Sequence, residues 1–259
     1  MLSFLLCSCQ SPTITHTNIQ RDLEAFRGPR GLSTDSSECL LLIQEWIHSC
    51  EDHTTCYRAA NSSRGVVPQL PTRLLDVFHG LDKNAVAIVD GNKIGASSQY
   101  VTLSHCWGGN LSTKLLSSNE ASFRSHVPYH DLPRTFRDAI DLTRRLEARY
   151  IWIDALCIIQ DSEEDWAREA ARMGDIYSDS YLNICATSST DGHGGLFHAR
   201  NPRAIAACRI DARWTAYKTG QFACYSPDTF MDKVELGPLK QEGLGCSGAS
   251  TIATQRSFY

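Results

Sequence analysis

Residues 99–109 read QYVTLSHCWGG and residues 149–161 read RYIWIDALCIIQD, and each stretch opens with an apolar run typical of a buried β-strand. Each run gives way abruptly to polar or reactive side chains. Ser104, His105, Cys106 and Trp107 follow the first run, and Asp154, Cys157, Gln160 and Asp161 follow the second. Two strand ends with this chemistry, separated by one amphipathic helix, predict a functional site.

Strands and helices alternate around these two stretches. We predict strands at residues 99–105 and 181–189 and, between them, a strand within residues 149–159 that ends at Asp154. This middle strand is nearly continuous in apolar residues, as a strand buried on both faces should be. Helical spacing predicts helices at residues 132–148 and 162–177. This order predicts an α/β fold whose parallel strands are joined by right-handed crossovers.

A further helix is predicted near the N-terminus. The segment ECLLLIQEWIHSC, residues 38–50, carries apolar residues at helical spacing. We expect Leu41, Leu42 and Trp46 to form the buried stripe of this helix.

The chain divides into segments of different composition. Apolar runs at residues 71–78 and 84–90 are bounded by Gly, Pro or Asp, which predicts two strands paired as an antiparallel hairpin. The helix and hairpin form a predicted extension, residues 37–98, that packs on a core of residues 99–240. Residues 1–36 are rich in Ser, Thr, Gly, Pro and Arg without a sustained period, so we expect them to be poorly ordered.

The bulk composition restricts the function classes. The 259-residue chain has a formal net charge of −4 and a pI near 6.1, which gives no electrostatic footprint for nucleic acid. No apolar run approaches the roughly 20 residues needed to span a bilayer. The chain contains 11 Cys, yet it is neither short nor loop-rich like a secreted disulfide scaffold. We therefore expect reduced thiols and a cytoplasmic, or alternatively nuclear, location.

The polar clusters follow the carboxyl ends of the three predicted parallel strands. Ligands of open α/β sheets bind outside the carboxyl ends of the strands, and the third strand ends near Ser189 and Asp191 in a Gly-rich loop. All three clusters are therefore predicted to meet at one edge of the sheet. Each residue also has a structural alternative: His105 could bond a backbone carbonyl, Trp107 could pack over a tight turn, and Asp154 could cap the following loop.

The cysteines leave further alternatives open. Cys157 lies in an apolar run and is either a buried, inert thiol or a nucleophile paired with His105. Cys50, His53 and Cys56 could supply three ligands to zinc, although their spacing is irregular for a structural site. We favour packed cysteines at a helix C-terminus and predict no metal site.

Several segments together resemble the fungal heterokaryon incompatibility (HET) domain. Its successive blocks are similar to YVTLSHCWGG, LPRTFRDAI, YIWIDALCIIQDSEEDW and the later IY…GGLF, and the segment that often precedes them is similar to WIHSC and LPTRLLDV. The resemblance covers roughly residues 38–240. It implies a fungal intracellular protein that triggers growth arrest or cell death on non-self recognition, through self-association or contacts with partner proteins.

The resemblance also marks individual residues. Candidate ligand-binding residues that match the family blocks are Ser104, His105, Trp107, Gly108, Cys157, Gln160 and Asp161. Asp154 matches the second block, and Glu169 matches the acidic helix that follows it. The family tolerates Tyr at the position of His105, which argues against a Cys–His dyad.

HET domains have been likened to TIR domains, which are flavodoxin-like α/β folds, some of which cleave NAD. The likeness implies a TIR- or flavodoxin-like core and an alternative function, NAD glycohydrolase, with NAD as substrate and no assured cofactor. In that enzyme Asp154 or Glu169 would be the catalytic acid that stabilises oxocarbenium-like charge. Trp107 could stack on a base or on the nicotinamide ring.

The C-terminal sequence departs from the family pattern. After a Pro-Leu dipeptide the family continues R-G-W-x-x-Q-E-R, whereas here Lys240 is followed by QEGLGCSGAST. With suitable codons, a shift of one base restores much of the family motif. We therefore predict a frameshift near Lys240, an aberrant and disordered tail over residues 241–259, and a truncated product, for which both an active and an inactive form remain open.

Overall fold

The computed structural model describes residues 3–4, 31–51, 69–80, 85–109, 113–201, 208–215 and 218–224. Several predictions fall outside these residues: those for most of residues 1–36, for residues 241–259, and for His53, Cys56 and Lys240.

The described chain is an α/β fold, as predicted. Its helices are α1 (Ser37–Glu51), α2 (Glu120–Ser125), α3 (Arg134–Arg145), α4 (Asp154–Cys157) and α5 (Glu163–Ser178). Its strands are β1 (Ser3–Phe4), β2 (Arg73–Asp76), β3 (Ala87–Asp90), β4 (Tyr100–Ser104), β5 (Tyr150–Trp152), β6 (Leu182–Cys185), β7 (Cys208–Thr215) and β8 (Lys218–Cys224). One sheet has the order β1-β6-β4-β5-β2-β3, and β7 and β8 form a separate pair. In the described ranges, no helix combines the length and the apolar character needed to cross a membrane.

The predicted parallel core consists of β5, β4 and β6, with β4 in the centre. Thr102 of β4 lies opposite Trp152 of β5, and Ser104 lies opposite Cys185 of β6. The order β5-β4-β6 is also the order of the first three strands of a flavodoxin-like sheet, 2-1-3. Antiparallel strands continue the sheet on both sides of this core, and the TIR- or flavodoxin-like assignment stays a prediction.

The predicted antiparallel hairpin is confirmed. β2 pairs with β3, with Arg73 opposite Asp90. β2 also pairs antiparallel with β5, where Leu75 lies opposite Ile151. The hairpin therefore continues the main sheet, and its strand β2 covers the edge that β5 would otherwise expose.

Helices α3 and α5 lie on opposite faces of the sheet. On one face, the Tyr100 hydroxyl donates a hydrogen bond to the carbonyl of Ile176 in α5, at 2.7 Å. On the other face, the His105 ring meets Phe136 of α3, with ring centroids 4.8 Å apart. Right-handed crossovers that leave β4 and β5 in opposite directions across the sheet require this arrangement.

The predicted strand within residues 149–159, expected to end at Asp154, is confirmed but is shorter than expected. The strand ends at Trp152, and residues 154–157 form the helical turn α4. The carbonyl of Ile153 accepts hydrogen bonds from the amides of Leu156 and Cys157, at 2.9 and 2.8 Å, which closes this turn. A short, fully buried apolar run does not distinguish strand from helix, so the pattern of apolar residues did not predict the helical turn α4.

The predicted buried stripe of α1 is also wrong. Cys39 and Ile43 are buried, whereas Leu41 is 59% exposed and Trp46 is 40% exposed. Apolar residues occur on nearly every side of this helix, so spacing alone does not identify the face that packs on the core.

Candidate functional site

The carboxylate of Asp154 forms the centre of a polar cluster at the ends of β4 and β5. The Trp107 indole nitrogen donates a hydrogen bond to Asp154 Oδ2 at 2.8 Å, and the Ala155 amide donates to Oδ1 at 2.7 Å. Nδ1 of His105 lies 3.7 Å from Oδ1. The structure therefore brings together three predicted site residues, His105, Trp107 and Asp154, which we call the strand-end cluster.

His105 is a buried member of the strand-end cluster. Its ring lies nearly parallel to that of Trp107, with centroids 6.3 Å apart and 14° between the planes. Phe136 packs edge-on against its other side. Burial lowers the pKa of His105, and although the Asp154 carboxylate opposes this effect, the net shift is downward. The imidazole is therefore neutral near pH 7 and is not a ready proton donor.

The third strand end reaches the same edge through Gly108. This glycine has a φ of +65°, and a Cβ added to it would lie 2.6 Å from the Cβ of Asp191. Glycine adopts this backbone conformation without strain and leaves room for the chain that follows β6. The turn after β4 and the loop after β6 are therefore in direct contact, and the three clusters converge as the topology predicted.

Gln160 and Asp161 have different positions relative to the cluster. The Gln160 amide donates hydrogen bonds to the carbonyls of Asp154 and Ile158, at 3.1 and 2.9 Å, and thereby closes the turn that holds Asp154. Asp161 is exposed and accepts hydrogen bonds from the amide and hydroxyl of Ser117, at 2.8 and 3.1 Å. These bonds, the backbone one first, lower the pKa of Asp161. Gln160 thus supports the cluster, whereas Asp161 fixes a neighbouring loop.

Comparison with known proteins assigns the family. The family model described as heterokaryon incompatibility protein (HET) matches residues 100–240, which is more than half of the 259 residues. This chain belongs to the HET family. The predicted resemblance is thereby confirmed.

A curated relative is similar to part of this chain. Heterokaryon incompatibility protein 6, OR allele, of Neurospora crassa is 33% identical over 95 residues. The alignment spans 34% of this chain and 14% of the Neurospora protein. No solved structure matches the chain.

Two predicted HET-region residues lie away from the strand-end cluster. The Ser104 hydroxyl bonds Oδ1 of Asn183 at 3.2 Å, on the side of the sheet that faces α5. Cys157 is fully buried in α4, and burial raises the pKa of its thiol to about 12. A thiolate is the nucleophilic form of cysteine, so this environment disfavours covalent chemistry at Cys157.

The second candidate acid, Glu169, is on the α5 side of the sheet and is 0% exposed. Its Oε1 accepts a hydrogen bond from the Thr72 hydroxyl at 2.6 Å and lies 3.5 Å from Nε of Arg168. Within the described residues, Oε2 of Glu169 has no hydrogen-bond partner. Glu169 therefore packs against the start of β2, and its known contacts do not include Asp154, Trp107 or His105.

Sequence reasoning missed a buried ion pair beside Glu169. Two nitrogens of the Arg73 guanidinium donate to the two oxygens of Asp165, each at 3.0 Å. Arg73 also donates to the carbonyl of Cys157 at 3.2 Å, and the amide of Ile159 donates to Asp165 at 2.8 Å. Burial acts to raise the pKa of Asp165, but hydrogen bonds led by that from Arg73 outweigh it and hold the pKa below its usual value. Arg73 precedes the HET-matched region, so residues outside the match stabilise residues within it.

The weak zinc candidates gain no support from the described residues. Cys50 lies in the last turn of α1, and His53 and Cys56 are outside the description. Among the described residues, no group of three or more His, Cys, Asp or Glu side chains is arranged to hold a metal ion.

Proposed function

We propose that this chain is an effector of fungal non-self recognition, or vegetative incompatibility, that triggers growth arrest or cell death. Membership of the HET family and the identity to a Neurospora heterokaryon incompatibility protein support this role. In this proposal the protein acts in the cytoplasm or nucleus, through self-association or through contacts with partner proteins.

The contacts of Asp154 support an effector that acts without catalysing a reaction. Both carboxylate oxygens accept short hydrogen bonds from within the chain, one from Trp107 and one from the Ala155 amide. Since each oxygen already accepts a bond from within the chain, we assign to Asp154 the role of holding the ends of β4 and β5 in one arrangement. The edge of the sheet then acts as a fixed surface for protein contacts.

A second candidate function, NAD glycohydrolase, has one observation in its favour. The Asp154 side chain is 12% exposed, and it lies at the carboxyl ends of parallel strands beside the half-buried ring of Trp107. A carboxylate in that place could stabilise positive charge that develops on a ribose. Nicotinamide release by the purified protein distinguishes this candidate from the effector.

Conditional expression in a filamentous fungus tests the effector proposal. Induction of the wild-type chain is expected to stop colony extension and to increase staining with a viability dye. Asp154→Asn and Trp107→Phe are expected to weaken both effects, because each change alters the bond between the two side chains. Asp131→Asn is the matched control, since it neutralises an exposed aspartate outside the candidate site residues and is expected to leave the effects intact.

A second form of the chain tests the predicted frameshift. It carries the alternative reading after Lys240 and is induced in parallel with the wild-type chain. Normal growth with both forms would contradict the effector proposal. Growth arrest with the restored form alone would show that an intact HET domain triggers arrest and that the frameshift has made this chain inactive.

A further inference from the structure

The chain after β6, residues 186–200, crosses the edge of the sheet and is called the strap here. Its middle part is fixed to the N-terminal half of α3 by backbone amides. The Gly195 amide donates to the hydroxyl of Thr135 at 3.0 Å, and the Leu196 amide donates to the carboxylate of Asp138 at 2.8 Å. The strap thereby holds its Gly-rich part against the turn that follows β4.

The segment before α1, residues 31–36, runs antiparallel to the end of the strap and is called the latch. Thr34 is its buried centre. The Thr34 amide donates to the carbonyl of His198 at 2.9 Å, and the His198 amide donates back to the Thr34 hydroxyl at 2.8 Å. The same hydroxyl donates to the carbonyl of Leu196 at 3.2 Å. One threonine therefore joins latch and strap by three hydrogen bonds.

Two arginines connect the latch to its surroundings. Arg200, at the end of the strap, donates to the carbonyl of Gly31 at 2.9 Å and to the sulfur of Cys39 in α1 at 2.8 Å. Arg145 of α3 forms an ion pair with Asp35 of the latch. The latch is thus bonded to the strap and to α3, and the strap is bonded to α1.

We propose that the latch controls the strap. Release of residues 31–36 removes the bonds that hold the end of the strap and leaves those of Gly195 and Leu196 to α3. The strap then opens more readily at the carboxyl ends of β4 and β6, where Gly108 now lies against Asp191. The latch precedes the HET-matched region and the strap lies within it. A segment outside the matched region therefore regulates access to the candidate site. This inference goes beyond the proposed function and does not depend on it.

Hydrogen exchange of the full-length chain, followed by mass spectrometry, tests the proposal. Thr34→Val removes the hydroxyl while nearly preserving its volume. Peptides from the strap are expected to exchange roughly tenfold faster in this variant, which is the effect of losing buried hydrogen bonds, while peptides from β5 keep the wild-type rate. Thr113→Val is the matched control, because the Thr113 hydroxyl donates to the Asp131 carbonyl at an exposed position. Its strap is expected to exchange at the wild-type rate.

A second variant, Arg200→Gln, weakens the same contact from the strap side and is expected to show the same selective increase. The proposal is overturned if strap exchange stays at the wild-type rate in both variants. It is equally overturned if strap and β5 peptides accelerate by the same factor in both, since the strap would then open only with the whole fold.

Discussion

The two faces of the sheet hold their polar residues in different ways. On the α3 side, the Asp154 carboxylate of the strand-end cluster accepts hydrogen bonds from neutral donors, the Trp107 indole and the Ala155 amide. On the α5 side, Arg73 and Asp165 form a charged pair next to the buried carboxylate of Glu169. The first arrangement is at the rim of the sheet and partly exposed, and the second is in the interior.

This difference explains why Asp154 and Glu169, which were equivalent candidates in the sequence, have different access to an outside molecule. Asp154 retains 12% exposure at the edge where the three strands end, so an outside molecule can approach it. Glu169 of α5 is 0% exposed and packs against the start of β2. We therefore expect a ligand or partner protein to contact Asp154. We assign to Glu169 the role of attaching the β2–β3 hairpin to α5.

The largest effect is expected on the interior side. Arg73→Met removes the partner that bonds both oxygens of the buried Asp165 carboxylate and leaves it the half-exposed Arg168 and the Ile159 amide. The change should lower the free energy of unfolding by about 3–5 kcal/mol in urea denaturation. The double variant Arg73→Met/Asp165→Leu should recover at least half of this loss, because it also removes the buried charge. A loss below about 1 kcal/mol in the single variant would contradict the difference between the two faces.

A smaller effect is expected in the strand-end cluster. Asp154→Ala leaves the Trp107 indole nitrogen and the Ala155 amide without acceptors and should cost about 1–3 kcal/mol of unfolding free energy. Asp154→Asn keeps one carbonyl oxygen as an acceptor and should cost less. Asp131→Asn, the exposed control, should leave the urea midpoint unchanged. Equal losses in all three variants would show that the cluster has no specific role in stability.

The pH dependence sharpens the same comparison. Burial lowers the pKa of His105 in the folded protein, so the unfolded chain binds a proton more readily. The contribution of neutral His105 to the free energy of unfolding is fully present above the pKa of the imidazole in the unfolded chain, about 6.5. It is lost as the pH falls below that value, by at most about 1.4 kcal/mol per pH unit. Urea denaturation between pH 8 and pH 5 should show a shallower decline in His105→Gln than in wild type. An identical decline in both proteins would rule out a buried, neutral imidazole.

The smallest effect is expected at Glu169. Glu169→Gln preserves an acceptor for the Thr72 hydroxyl and removes a buried charge whose second oxygen has no partner among the described residues. The change in unfolding free energy should stay within about 1 kcal/mol. Growth arrest in the expression assay should persist. Loss of the arrest in a variant of normal stability would show that Glu169, not Asp154, is the functional acid.

The sequence was sufficient to predict the convergence of the strand ends. Alternating periods of strands and helices predicted the parallel core, and the rule for carboxyl ends then brought His105, Trp107 and Asp154 to one edge. The hairpin also followed from its bounded apolar runs. These features depend on local pattern and on handedness, which a single sequence carries.

The remaining features depend on contacts between distant residues. Arg73 and Asp165 are 92 positions apart, and Arg73 reads in sequence as an ordinary charge at the start of a strand. The latch at Thr34 lies in a segment without periodicity and bonds a carbonyl 162 positions away. The buried face of α1 and the turn α4 depend on which neighbours cover apolar residues, and periodicity does not show this.

Nicotinamide release from NAD by the purified full-length chain is the most direct test of the central claim. The claim is that Asp154 is a structural acceptor that holds the strand ends of a non-enzymatic effector. It predicts no release from folded wild-type protein, and none from the form carrying the restored reading after Lys240. Release by either form that is lost in Asp154→Asn and kept in Asp131→Asn would contradict the claim and establish Asp154 as a catalytic residue.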